Sequence, residues 1–296
     1  MSEAKKNIVW LASYPKSGNT WFRIFLSNLF SDSPLPVNIN DLTFTPISSN
    51  RSIIDSYLGI HSSELTAEEI DKLRPEVFRR YSDETEGAAY LKTHEAWRLN
   101  SSGIAIFPEK ITKGVLYFIR NPLDVAVSFS HHAGESIDHT ISLLNNDLSK
   151  LCEGNDRINI QTQQVLTSWS NHVRSWTEDS KLPVHVIRYE DMLDHPLKTF
   201  KRAVNFMNLE YDEAKIIEAI HNSSFDTLKE MEASDGFKER GLHSEAFFRK
   251  GISNDWETQL LEAQVEEIVH KHREIMEKYG YLKTTEPKNE TETADR

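Results

Sequence analysis

Short apolar runs alternate with polar turns and amphipathic stretches along most of the chain. Four of these runs read as strands: NIVWLASY (7–14), AAYLKTHE (88–95), GVLYFIR (114–120) and LPVHVIRYEDML (182–193). Each is short, rich in aliphatic and aromatic residues, and ends in a polar cluster, as a strand buried on both faces does. Helical spacing follows the first run at 20–30 and the third at 124–132, after the turn opened by Asn121-Pro122. It recurs at 66–83, with a break expected near Pro75, and at 160–179, 196–209, 212–232 and 259–282. The segment 31–50 is rich in Pro, Ser and Asn and reads as a long connection; 233–252 carries little regular signal. Strands alternating with helices predict an α/β fold in three layers around a central parallel sheet. Ligands in such sheets sit beyond the carboxyl ends of the strands. Residues 15–21, 92–94, Arg120 and Tyr189 are therefore the first candidates for a site.

Composition narrows the classes. At 296 residues and 38% hydrophobic, the chain can bury a core without staples. With 34 basic against 46 acidic residues, the net charge of −12 argues against nonspecific nucleic-acid binding. The lone Cys152 leaves no intrachain disulfide and no cysteine-based metal site. No run is long enough to span a membrane, and the start lacks a secretory pattern, so a cytoplasmic protein is expected. One domain is expected over 1–285, with a disordered polar tail at 286–296.

The loop SYPKSGNTW lies between the first strand and its helix. Unpaired amides at a helix start favour an anion, Gly18 permits close approach, and Lys16 adds charge. The nucleotide triphosphatase order GxxxxGK[ST] is absent, and the later strand ends in Arg120 rather than a metal-binding carboxylate. That pairing points to a ligand with two separate anionic ends, held without metal.

The same residues resemble the sulfotransferases that use 3'-phosphoadenylyl sulfate (PAPS). YPKSGNTW is similar to their phosphosulfate loop, FIRNPLDVAVSFSHH to their 3'-phosphate segment and FRKGISNDW to their RKGxxGDW signature, with LKTHE and IRYEDML in the expected order. The similarity spans 8–282 and implies a P-loop-like fold in one domain. It implies that Lys16, Ser17, Gly18, Asn19 and Thr20 hold the phosphosulfate and that Trp21 stacks on adenine. Arg120 and Ser128 would hold the 3'-phosphate, with Arg249, Lys250 and Gly251 closing over it. Tyr189, Ser223 and Phe225 would line the nucleotide pocket, and His94 would be the catalytic base. Lys16 would stabilise the leaving phosphate and Lys92 the transferring group; the product would be adenosine 3',5'-bisphosphate (PAP). Asn254 replaces the second glycine of the signature, at a turn where Asn tolerates left-handed angles. A homodimer is a possible assembly, but the KxxxTVxxxE dimer motif is not matched: Glu257, Leu261 and Glu262 stand in place of its lysine and Thr-Val. The rival readings are an ATP-dependent phosphotransferase and a nucleotide-binding regulator without catalysis. The expected acceptor is a small hydrophobic alcohol or phenol, or an amine.

Overall fold

A computed structural model describes residues 5–153, 158–241 and 243–282; the expected tail at 286–296 lies outside them. In chain order the elements are β1 (Ile8–Ser13), α1 (Asn19–Phe30), α2 (Arg51–Leu58), α3 (Ala67–Glu84), β2 (Ala89–Thr93), β3 (Thr112–Ile119), α4 (Pro122–Ala133) and α5 (Ile137–Asn145). There follow β4 (Lys150–Leu151), β5 (Gln164–Val165), α6 (Trp169–Arg174), β6 (Val184–Arg188), α7 (Tyr189–Asp194), α8 (Pro196–Phe206), α9 (Glu213–Asn222), α10 (Phe225–Asp235) and α11 (Glu262–Lys278).

The four predicted strands form one parallel sheet in the order β2-β1-β3-β6. Alternation along β1 sorts its side chains between two layers. Trp10 and Ala12 join Phe78, Phe107, Trp169 and Trp176 on one face. Val9 and Leu11 join Phe22, Phe25, Phe118 and Phe200 on the other. Both faces are covered, which explains why the strands read as continuous apolar runs. The connection 31–50 does more than span: Ile47 pairs in parallel with Lys92, and the Ser48 amide donates to the Lys92 carbonyl at 2.8 Å. The outer side of β2 is thereby covered.

Three expectations need correction. First, α3 runs unbroken through Pro75. A helical proline leaves the carbonyl four residues earlier without its amide. Here the Asn100 side-chain amide donates to that Asp71 carbonyl at 3.2 Å, replacing the lost bond. Second, only the latter part of 160–179 is helical; Gln164–Val165 pairs antiparallel with Lys150–Leu151 as β5 and β4. Third, 212–232 is two helices, because Ser223 ends α9 and the Ser224 hydroxyl caps α10 through the Thr227 amide.

Candidate active site

Helix α1 begins with its positive end bare. Its first turn holds no acidic residue, and no side chain among the described residues caps it. By helix geometry the amides of Asn19, Thr20 and Trp21 have no carbonyl partner within the helix. Gly18, at φ +94°, turns the chain into the helix, and a Cβ there would come within 2.8 Å of the Tyr189 ring. Lys16 also adopts a left-handed conformation, at φ +66°. Its ammonium lies 3.9 Å over the Phe247 ring. Burial, then the like charges of Arg120 and Lys92, push Lys16 down to about 7. A lysine so crowded with cations gains most from an arriving anion.

Arg120 leaves the end of β3 and ties the loop to the later signature. It donates to the carbonyls of Lys16 at 3.2 Å and Ile252 at 3.0 Å, and its guanidinium stacks 4.1 Å over Tyr189. Its Nε and the Ser17 hydroxyl are buried without hydrogen-bond partners among the described residues. Orphaned polar groups beside a bare helix end fit an oxyanion. The second signature folds back on α4. Asp124 accepts from the amides of Asn254 at 2.8 Å and Trp256 at 3.1 Å. Asn254 sits at φ +63°, the left-handed angle anticipated for it. Gly251, at φ +65°, has no room for a side chain, since a Cβ would lie 2.2 Å from Phe225. Arg249 and Lys250 are both paired with Asp255 at 2.5 Å.

His94 follows the end of β2. Its Nδ1 lies 2.9 Å from the Ser13 carbonyl, which can only accept, so Nδ1 carries the proton and Nε2 keeps its lone pair. Burial, then the charge of Lys92, hold the imidazole neutral, well below its ordinary range. Its backbone is pinned as well. Tyr117 donates to His172 Nδ1 at 2.8 Å, and His172 Nε2 donates to the His94 carbonyl at 3.0 Å. Behind His94, the fully buried Arg74 and Glu95 pair at 2.5 Å and link α3 to the tip of β2.

One cavity of about 730 Å³ gathers most of the expected residues. Lys16, Ser17, Gly18, Asn19, Thr20, Trp21, Lys92, His94, Arg120, Ser128, Tyr189, Phe225, Arg249, Lys250 and Gly251 all line it. Ser223 does not: its buried hydroxyl donates to the Ala219 carbonyl, while its own carbonyl accepts from the Trp21 indole at 2.7 Å. Ser223 thus sets the tilt of Trp21 from behind. Phe129, Phe247 and Phe248 also reach the cavity, whereas Phe44 is exposed and Phe237 packs in a satellite core.

Sequence reading missed Glu239, Arg23, Gln164 and Asp124. Glu239, Gln164 and Asp124 also line the cavity, and the Gln164 side chain accepts from the His94 amide at 3.3 Å. Glu239 comes from a stretch without periodicity and Gln164 from one that reads as helix but pairs as β5, so only folding brings them in. Arg23 did leave a signal: it is a charge inside the apolar run of α1, and it is buried. Among the described residues, no cluster of His, Cys, Asp and Glu has the makings of a metal site, and no helix is long and apolar enough to cross a membrane.

The chain is similar to known proteins over most of its length. The model of the family described as "Sulfotransferase domain" matches residues 6–280. Cytosolic sulfotransferase 17 of Arabidopsis thaliana is 26% identical, over 95% of this chain and 77% of that protein. Human sulfotransferase 1E1 is 27% identical, over 95% of this chain and 87% of that protein. Among solved structures, mouse sulfotransferase SULT7A1 complexed with PAP superposes with a TM-score of 0.59 at 21% identity, covering 93% of this chain and 86% of that one. That last likeness carries the fold.

Proposed function

The chain belongs to the sulfotransferase domain family, and from that premise we propose that it moves a sulfuryl group from PAPS to a hydroxyl or amine of a small acceptor. The observation that carries the reading is the meeting, in one cavity, of a bare helix start, cations at the tips of three adjoining strands, and a neutral imidazole with a free Nε2.

The residues divide the work as follows. The loop amides and the Lys16 ammonium hold the 5'-phosphate and stabilise the charge that builds on it as the sulfuryl leaves. Arg120 and Ser128 take the 3'-phosphate, with Arg249, Lys250 and Gly251 on its other side. Trp21, Tyr189 and Phe225 offer flat surfaces to the adenine. The His94 Nε2 accepts the acceptor proton, and Lys92 draws charge from the transferring group. His94 needs no deprotonation near neutrality, because its surroundings already keep it neutral. Ile47, Phe129, Leu151, Ile160 and Phe247 add apolar wall to the cavity, which supports a hydrophobic alcohol or phenol as acceptor. We read the chain as a cytosolic enzyme, as the name of its plant relative suggests.

The test is a thermal shift followed by turnover. PAP raises the melting temperature without magnesium and ATP does not; PAPS then sulfates members of an acceptor panel, and His94→Ala slows product formation by about 10² to 10⁴. Stabilisation by magnesium-ATP alone would overturn the reading in favour of phosphoryl transfer.

A further inference from the structure

Lys92, the cation assigned to the transferring group, already holds an anion. The Glu239 Oε2 accepts from its ammonium at 2.8 Å, and the Oε1 accepts from Arg23 at 2.6 Å. The Thr20 hydroxyl also reaches Oε2, at 3.4 Å. Arg23 and Lys92 are buried, 2% and 7% exposed, but Glu239 is 20% exposed and stands on an irregular segment. Although burial works against its charge, Lys92 and Arg23 hold the carboxyl far below the usual carboxylate range. Glu239 is thus a permanent negative charge at the His94 end of the cavity.

Resting on the donor reading above, we propose that Glu239 sets the preference between donor and product, by occupying the place on Lys92 that the sulfuryl group of PAPS must take. The two nucleotides carry their charge in different places. In PAP the outer negative charge is on the 5'-phosphate, within the loop. In PAPS it lies one group further out, on the sulfuryl, towards Lys92. A fixed carboxylate on Lys92 therefore opposes the donor more than the product, by competition and by repulsion. Only the side chain has to turn away, because the backbone on either side is anchored separately. The Lys238 amide donates to Asn40 at 2.8 Å, and Gly241 packs so closely on the His132 carbonyl that a Cβ would lie 2.3 Å from it.

The experiment is titration calorimetry of PAPS, without acceptor, and of PAP against the wild-type chain and Glu239→Gln. PAPS affinity is expected to rise about tenfold in the variant while PAP affinity changes less than about twofold. Equal changes for both nucleotides, or a loss of PAPS affinity, would overturn the proposal and make Glu239 a structural counter-charge. Should the Gln variant not fold, Glu239→Asp, too short to hold both cations, carries the same comparison, with a gain of about threefold for PAPS. If PAP binds the wild type but PAPS shows no gain in either variant, this proposal alone fails. If neither nucleotide binds any of the proteins, the donor reading falls and takes it along.

Discussion

Lys16 and His94 are shifted in the same direction, and the proposed reaction would use them in opposite ways. His94, depressed by burial and Lys92, is a base that stays available through neutrality. Replacing it with Ala should lower kcat by about 10² to 10⁴ while leaving PAP affinity unchanged, as paired kinetics and calorimetry would show. Lys16, depressed to about 7, is partly uncharged at neutral pH in the free protein. An anion raises its pKa again, so PAP binding should take up a proton between pH 7 and 8.5. Affinity should accordingly fall as pH rises through this window. Calorimetry in buffers of different ionisation enthalpy measures the uptake, and Lys16→Arg should abolish it, because arginine stays charged. Both residues were legible in the sequence, since each sits in a strand-tip motif whose chemistry is carried by neighbours along the chain. Their tuning was not legible: burial dominates at both, and Arg120 lies far from Lys16 in sequence and reaches it only through the sheet.

At the scale of elements, the strand-turn-helix units were readable because apolar runs, Asn121-Pro122 and the loop glycine are local signals. The unbroken α3 was not, since the group that rescues it, Asn100, comes 29 residues after the Asp71 carbonyl it serves. Asn100→Ala should therefore cost about 1–2 kcal/mol, seen as a lower urea midpoint, by orphaning a polar group beside the proline. The turn into α1 is more exacting. Gly18→Ala forces a methyl into both a left-handed backbone and the Tyr189 ring. A loss of about 1–3 kcal/mol in stability is expected, and PAP affinity should fall with it, because the loop amides would move. Behind the β2 tip, Glu95→Gln would leave the fully buried Arg74 to a longer contact with Asp71, at 3.5 Å. Denaturant unfolding should register a loss of about 3–5 kcal/mol.

For the molecule as a whole, the order β2-β1-β3-β6 is what makes a site from scattered motifs. The tips of β2, β1 and β3 carry His94, the phosphate loop and Arg120 in lateral sequence, and strand ends lie about 4.8 Å apart in a sheet. Neighbouring strands thus act as the graduations of a ruler. An adenosine nucleotide can span the marks only if its charges are spread to match them. Adenosine 5'-phosphate, with a single charged end, would register on one mark and miss the other. Evolution can then rebuild the acceptor wall from the irregular segments without recalibrating the scale, because the gauge is the hydrogen-bonded spacing of the backbone itself.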